Sequence, residues 1–206
     1  MSAGRAGRAR RAGVLLLAAP LIALATLHAG GAVSKRDADA LREKVAAINA
    51  HAGSGAKTGR RTTVTENEVN GYLTYDSKEQ LPAGVVEPSV TIIGGGRLSG
   101  RAVVDLDAVR QSKGSTSILD PVNYLTGRLP VTATGTLTTQ NGMGRFQLES
   151  AAVASVPIPK ILLQEIVSYY SKSASMPSGI GLDDPFALPA RIREIQVERG
   201  QAIIVQ

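Results

Sequence analysis

The stretch RLPVTATGTLTTQNGMGRFQLESAAVA, residues 128–154, decides the fold class. Apolar residues alternate with threonines from Leu129 onward, and a second alternation begins at Phe146. Asn141 and Gly142 stand between the two runs, and Asn-Gly is the strongest short hairpin sequence because both positions of the turn need positive φ. Alternation with period two is typical of strands that bury one face. The stretch therefore predicts two long antiparallel strands joined by a tight turn.

The same alternation extends towards the N terminus. Apolar residues occupy the even-numbered positions from Val86 to Ile92. Gly94–Gly96 form a turn, and apolar and polar residues then alternate from Leu98 to Leu106. Strands of about ten residues joined by tight turns predict an antiparallel meander. Two glycines on its apolar face, Gly100 and Gly135, permit the sheet to bend. We expect one long, curved antiparallel sheet.

Helical patterns flank the predicted sheet. Residues 34–50 carry an apolar stripe at spacings of three and four, and a capping box from Thr65 to Glu68 begins a second helix. Residues 160–171 form a third helix with a broad apolar surface, and residues 192–205 resemble a closing hairpin. The predicted fold class is α+β, a long, curved antiparallel meander covered by a few helices, with an N-terminal helix after a signal peptide.

The first residues have the layout of a secretory signal peptide. Four arginines precede the uncharged apolar run Val14–Leu27, and small residues including Gly30 and Ala32 follow it. The alternative is an uncleaved anchor, because the uncharged residues 13–33 can just cross a bilayer. We predict an exported protein, periplasmic or extracellular, or anchored to the inner membrane by residues 13–33.

This assignment divides the chain into four parts. Residues 1–32 are the signal peptide or signal anchor, 33–52 an N-terminal helix, 53–61 a flexible linker, and 62–206 a single α+β domain. The linker is Gly- and Ser-rich, so we predict that the first helix can be displaced without unfolding the sheet.

Composition excludes several classes of function. The chain has 206 residues, no Cys, 3% aromatic residues and a formal net charge of +6. Four of its 23 cationic residues lie in the leader and no acid does, so the remainder has 19 cationic and 17 acidic residues and a charge of +2. No dense basic patch with interleaved aromatic residues remains, so nucleic acid is not an expected partner. Thiolate metal sites and cysteine nucleophiles are excluded.

The residues that could carry chemistry are few. His51 is the only His beyond the leader, and it lies at a helix end. Asp105 and Asp107 fall on one face of a predicted strand, where paired carboxylates can bind a cation, but no third ligand is in view and a solvated polar face is favoured. We predict no enzyme activity, no catalytic or metal-binding residue and no cofactor.

Four segments resemble a known group of proteins. They are Thr65–Leu73, with a Thr-Glu-x-Glu-x-Asn-x-Tyr-Leu pattern, Leu81–Val85, Leu98–Leu106 and Gly127–Val131. Over about residues 62–160 the chain resembles exported bacterial proteins of the LmeA-like and YpmS-like kind. The resemblance implies a periplasmic or membrane-anchored protein with a tubular, lipid-binding character. It transfers no functional residue to this chain.

An incompletely covered apolar sheet face would form a groove for acyl chains. Small residues on this face leave room either for a ligand or for the covering helices, and both alternatives stand. The first predicts a membrane lipid or another apolar ligand as partner. The second predicts an envelope scaffold with a filled core that docks another envelope protein through a sheet edge or residues 173–189. The predicted groove residues are Leu98, Val104, Val131, Ala133, Leu137, Phe146, Leu148, Ala152, Leu162, Ile166 and Tyr169, the last three on a covering helix.

Overall fold

The computed structural model describes residues 32–56, 58–113, 126–171, 177–179 and 181–206. The predicted leader lies outside these ranges apart from its last residue. Gly31–Gln206 form one compact unit. Within the described ranges, no helix is both long enough and apolar enough to cross a bilayer.

Helices and strands alternate irregularly along this unit. In chain order the elements are α1 (Lys35–Gly53), β1 (Arg61–Thr65), α2 (Glu66–Tyr75), β2 (Val85–Gly94), β3 (Arg97–Asp105), α3 (Leu106–Lys113), β4 (Arg128–Gln140), β5 (Met143–Val153), β6 (Val156–Pro157), α4 (Lys160–Ser171), β7 (Phe186–Ala187), β8 (Glu194–Glu198) and β9 (Gln201–Val205).

A six-stranded antiparallel sheet dominates the fold. Its strands follow the order β2-β3-β4-β5-β6, and β7 also pairs with β5. Together with the helices this confirms the predicted α+β class and the meander. The β4–β5 turn has Asn141 at φ 50° and Gly142 at φ 80°, the conformation that the Asn-Gly sequence predicts.

A second sheet was not predicted in full. The closing hairpin β8–β9 is present as expected, but β1 pairs along the other side of β9, giving the order β1-β9-β8. β1 contains three threonines and one valine, and its period-two pattern is too short to stand out. The Thr139 hydroxyl joins the two sheets, because it accepts from the Ile195 N–H at 2.8 Å and donates to the Ile195 carbonyl at 3.1 Å.

Side chains of α2 close the outer edge of β2. Asn70 accepts from the Val90 N–H at 2.7 Å and donates to the Val90 carbonyl at 2.8 Å. Glu66 accepts from the Ile92 N–H at 2.7 Å. An open strand edge invites pairing with other chains, and these contacts satisfy the groups that would otherwise be free.

α1 packs on α2 at a close crossing. A Cβ added to Gly71 would lie 2.7 Å from the backbone nitrogen of Ala38, and Ala38 is 0% exposed. Lys44 donates to both Glu68 oxygens, at 2.6 and 2.7 Å. Both helices begin with a capping box, so each start is fixed locally. The displaceable first helix stays a prediction, and these contacts argue against it.

Asp76 joins the end of α2 to the start of α1. Its carboxylate accepts from Lys35 at 2.6 Å and from Arg42, and its side chain is 14% exposed. The hydrogen bond from Lys35, followed by that from Arg42, holds the pKa of Asp76 below its usual value. The ionised form therefore stabilises the folded chain above the unfolded-state pKa of about 3.9, and this contribution is lost as pH falls through the lower folded-state pKa.

We expect Asp76→Asn to lower the melting temperature at pH 7 and to lower it progressively less as pH falls below about 4. The matched control is Asp39→Asn, since Asp39 also contacts Lys35 and Arg42 but is far more exposed. Thermal unfolding of both variants from pH 3 to pH 7 measures the difference. A deficit for Asp76→Asn that is the same at pH 3 and pH 7 would contradict this electrostatic account.

Two β-bulges change the faces of the sheet to which the sequence assigns alternate side chains. Register shifts occur around Glu87 in β2, which has φ 51°, and at Glu149 in β5. A bulge places two residues opposite one, so every later side chain changes face. The predicted parity of Val86 was therefore wrong, because Val86 lies opposite Val103 rather than on the face of Ile92.

The prediction that Asp105 and Asp107 share a strand face was also wrong. The strand ends at Asp105, whose Oδ1 accepts from the Ala108 N–H at 3.0 Å and so caps α3. Asp107 lies inside α3, pairs with Arg110 and accepts from the Gly127 N–H at 3.2 Å. The side-chain cap competes with continuation of the strand, as short acidic residues commonly do at helix starts.

Candidate functional site

The register of the six-stranded sheet places the predicted apolar residues of its strands on one face. We call this the apolar face. It is built from cross-strand rows, and one row runs Ile92–Leu98–Gly135–Leu148 across β2 to β5. The other predicted members of this face are Val104, Val131, Ala133, Leu137 and Phe146.

Ala152 does not belong to this face, which corrects the prediction. The bulge at Glu149 places Ala152 opposite Thr132, while Ala151 lies opposite Ala133. Ala151 is buried and Ala152 only partly so. The opposite side of the sheet, which we call the polar face, carries Arg97 and Thr136. Glu149 points to this face, since it accepts from Thr136 at 2.5 Å and pairs with Arg97 at 3.2 Å. The hydrogen bond from Thr136 is the main reason why the pKa of Glu149 is lowered.

A row that contains three small residues, Gly100, Ala133 and Ala151, crosses the apolar face next to this bulge. Val90, Gly100, Ala133 and Ala151 lie opposite one another on four successive strands. One flanking row carries Leu98 and Leu148 on either side of Gly135, and the other carries Val131 and Val153 beside Ala102. Neighbouring same-face rows are about 6.7 Å apart, and four strands span about 14 Å. The small residues thus form the floor of a trough between two apolar walls.

The trough is open at its centre. Among the described residues, no heavy atom lies within 4 Å of a Cβ added to Gly100, so this part of the chain leaves the position next to Gly100 open. The predicted apolar side chains around it are all only partly buried, and this holds for Leu98, Val104, Val131, Leu137, Phe146 and Leu148. A core that is packed by covering helices would bury such residues almost fully. The sheet therefore presents accessible apolar surface.

Two aromatic rings fill the face towards the β4–β5 turn. Atoms of the Phe146 ring lie 2.5 and 2.8 Å from the position that a Gly135 Cβ would take, and the Phe186 ring lies 2.7 Å from that of Gly144. Each ring occupies the space above a glycine. The open part of the apolar face is therefore bounded at this end by Phe146 and Phe186.

One predicted groove residue of α4, Leu162, lies on an exposed side of this helix, and its assignment to the groove stays a prediction. Leu162 is 51% exposed and its neighbour Ile161 is 76% exposed. The partly buried side of the helix carries Leu163 and Val167 instead. The side chains of Ile166 and Tyr169 lie outside the described part of the structure, so their assignment to the groove stays a prediction.

A polar cleft of the fold lies away from the trough. A cleft of about 790 Å³ surrounds the β4–β5 turn and is lined by polar residues that include Thr138, Gln140, Arg145 and Arg193. It does not coincide with the trough. The trough is a shallow furrow across the strands. It is defined by the strand register and by the open position next to Gly100.

Charged groups stand outside the trough. Arg101 and Arg145 lie opposite Thr132 and Thr138 on the polar face. Among the described residues, no three His, Cys, Asp or Glu side chains are grouped so that they could hold a metal ion. His51 contacts the Thr58 carbonyl through Nε2 at 3.1 Å. The trough thus offers apolar contact without ionic groups.

Comparisons with known proteins assign no family. No family model matches the chain, and no curated protein matches it. A solved structure described as the crystal structure of lipopolysaccharide binding protein aligns with 15% identity and a TM-score of 0.22. The alignment covers 71% of this chain and 40% of that one. A TM-score this low does not show a shared fold, so the resemblance of residues 62–160 to exported lipid-binding proteins stays a prediction.

Proposed function

We propose that this protein is an exported, non-catalytic protein that binds an apolar ligand, a membrane lipid, along the trough of its apolar face. The observation that supports this most directly is the open position next to Gly100, which no described residue fills, between rows that carry partly buried aliphatic side chains. Aliphatic walls without ionic groups suit a hydrocarbon chain. Loss of apolar surface from water on both partners provides the driving force.

The expected affinity follows from chain length. Burial of ten methylenes contributes roughly 8 kcal/mol, at about 0.8 kcal/mol for each. Association and ordering cost about 4–15 kcal/mol. One acyl chain is therefore held weakly, whereas a lipid with two chains would remain bound through purification.

Native mass spectrometry of the protein purified from its own envelope fraction tests the proposal. We expect a population whose mass exceeds that of the chain by one phospholipid or similar amphiphile, which is released on unfolding. Purification without detergent, followed by addition of vesicles, controls for lipid acquired during extraction. A chain that carries no lipid before or after exposure to vesicles would leave the scaffold as the better explanation.

The scaffold alternative has one observation in its favour. β7 pairs with β5 at Gly144, and β6 pairs with it from Ala152 onward, so residues 145–150 have no strand partner on that side among the described residues. Such an edge can accept a strand from another protein. A lipid-free protein that gains a strand at residues 145–150 on binding an envelope protein would favour this second function.

Export is predicted from the leader and is open to a direct test. We expect the chain in the envelope or external fraction, beginning near Val33 after cleavage at the small residues Gly30 and Ala32. Cell fractionation with N-terminal sequencing measures both features. A membrane-bound chain that begins at Met1 would support the anchor, and a cytosolic chain that begins at Met1 would contradict export.

A further inference from the structure

A short stretch beside the outer edge of β5 carries exposed apolar side chains. Among the described residues, the three most exposed large apolar side chains lie in it, with Ile161 76%, Val156 66% and Leu162 51% exposed. We call residues 156–162, which include β6 and the start of α4, the exposed segment. A concentration of exposed aliphatic side chains is typical of a surface that contacts another molecule or a membrane.

The exposed segment is held in place on the main sheet by backbone contacts. β6 pairs with β5 through a tight turn at Ala154 and Ser155, whose φ angles are 49° and 68°. The Ala154 N–H donates to the Pro130 carbonyl at 2.8 Å, and the Ile158 N–H donates to the Ala151 carbonyl at 2.9 Å. The segment is therefore ordered before any partner binds, and little conformational entropy is lost on docking.

Residues 157–159 present no free N–H group to a protein partner. Pro157 and Pro159 have no N–H, and the Ile158 N–H is already donated to Ala151. A protein strand that joins an edge needs such donors, and protein interfaces carry about one hydrogen bond for each 100–200 Å². The exposed side chains are aliphatic, without the Trp, Tyr or Arg that anchor most protein interfaces. Hydrocarbon makes no hydrogen bonds, so this surface fits the acyl chains of a bilayer better than a protein.

Charge is nearly absent from this stretch. Between Ser150 and Gln164 the sequence contains one charged residue, Lys160. Its Nζ lies 2.6 and 2.9 Å from the two carboxylate oxygens of Asp183, so the pair is neutral as a whole. A neutral aliphatic surface can enter the acyl region of a bilayer without placing an unpaired charge in hydrocarbon. A lysine at its rim can keep its ammonium group at the level of the headgroups.

We propose that the exposed segment docks the protein on a lipid bilayer, with Val156, Ile161 and Leu162 inserted among the acyl chains. Insertion removes apolar surface from water, which provides the driving force. Docking here would also bring lipid to the trough, because Ala151, the β5 member of its row of small residues, is hydrogen-bonded to Ile158 of the segment. This last step rests on the proposed function, whereas docking itself does not.

A single introduced tryptophan tests the insertion directly, because the chain contains no Trp. We expect the fluorescence emission of Leu162→Trp to shift to shorter wavelength when phosphatidylcholine vesicles are added, and brominated phosphatidylcholine to quench it, since the indole then lies among acyl chains. The matched control is Val45→Trp, an exposed aliphatic position on α1, whose emission should not change. Emission of Leu162→Trp that vesicles leave unchanged would contradict insertion.

Vesicle affinity measures how much the segment contributes. In sedimentation of the exported chain, which we expect to begin near Val33, with phosphatidylcholine vesicles, Ile161→Ser should weaken binding by about tenfold or more and Val45→Ser should leave it unchanged. Because the surface is neutral, the affinity should be nearly the same at about 0.1 M and about 0.5 M salt. The inference is overturned if the parent chain does not bind, if Ile161→Ser binds as the parent does, or if both variants weaken binding equally.

Two other occupants of the exposed segment give different results, and each would overturn the inference. A second copy would give a dimer in analytical ultracentrifugation that Ile161→Ser dissociates, with no binding to vesicles. A part of this chain outside the described ranges would give a melting temperature that Ile161→Ser lowers by several degrees, again with no binding to vesicles. Failure of the trough is distinguishable from failure of docking, since a chain that retains no lipid but still inserts Leu162→Trp into vesicles supports the docking and contradicts the trough.

Discussion

Replacement of Gly100 by leucine is expected to remove bound lipid from the protein without lowering its melting temperature. A Cβ at this position meets no atom of the described residues within 4 Å, and Gly100 does not have positive φ, so we expect the new side chain to enter the trough without clash or backbone strain. Leucine would occupy the space of about four methylenes of a ligand, at about 0.8 kcal/mol each, so affinity should fall by more than about 100-fold. Glycine inside a strand is itself destabilising by roughly 0.5–1 kcal/mol, so stability should hold or rise.

Ala152→Leu is the matched control for this variant. Ala152 lies in the same sheet but on the polar face opposite Thr132, so an added side chain there should leave lipid retention unchanged. Lipid content by native mass spectrometry and melting temperature should be measured together on both variants. A Gly100→Leu protein that unfolds several degrees earlier would indicate a filled core at this point. Equal loss of lipid in both variants would indicate binding somewhere other than the trough.

The sequence was sufficient to predict the antiparallel meander, because the alternation of apolar and polar residues and the turn residues are local signals. Thr65 and Glu68 predicted the start of α2, and Asn141 predicted the β4–β5 hairpin, and both are present. β1 was missed because five residues give too short a pattern. Its position also depends on pairing with β9, which lies about 140 residues later in the chain and leaves no local mark.

The residues of the trough could be predicted only in part. A bulge changes the sheet face on which the later side chains of a strand lie, and the alternation in the sequence does not show this change. Ala151, Ala152 and Val153 are all apolar, so the sequence does not show which of them face the trough. The one available clue was Glu149, a charged residue that interrupts the small and apolar run and is held by Thr136 and Arg97 on the polar face.

A smaller cleft, of about 290 Å³, could not be predicted from spacing. Its lining residues His51, Arg191 and Gln206 are distant in sequence, and the small sheet brings these segments together because β9 pairs with β1 on one side and with β8 on the other. The consecutive left-handed residues at Ala190 and Arg191 have no glycine or asparagine to mark them. Tertiary contacts from Gln206 impose that conformation, which is why no local rule indicates it.

Replacement of Gly71 by valine is expected to destabilise the protein by about 2 kcal/mol or more, which lowers the melting temperature by roughly 4–8 °C for a chain of this size. A Cβ at Gly71 would lie 2.7 Å from the Ala38 nitrogen and 2.9 Å from the Asp37 Cβ. The Ala38 nitrogen belongs to the backbone and cannot rotate away, so α1 must move. Alanine would gain about 0.5–1 kcal/mol of helix propensity over glycine at an open site, but here the overlap outweighs it.

The control for this variant is Gly53→Ala at the end of α1, where an added Cβ meets nothing within 4 Å and stability should be unchanged or slightly higher. Denaturant unfolding gives the free energies, and limited proteolysis shows which part of the chain is released. If Gly71→Val is cut after α1 and leaves a folded sheet, the first helix is displaceable as its Gly- and Ser-rich connection suggests. If all structure is lost in one transition at lower denaturant, α1 is an integral part of the domain. An unchanged free energy of unfolding would show that the helices can separate at no cost, and the close crossing at Ala38 would then contribute nothing to stability.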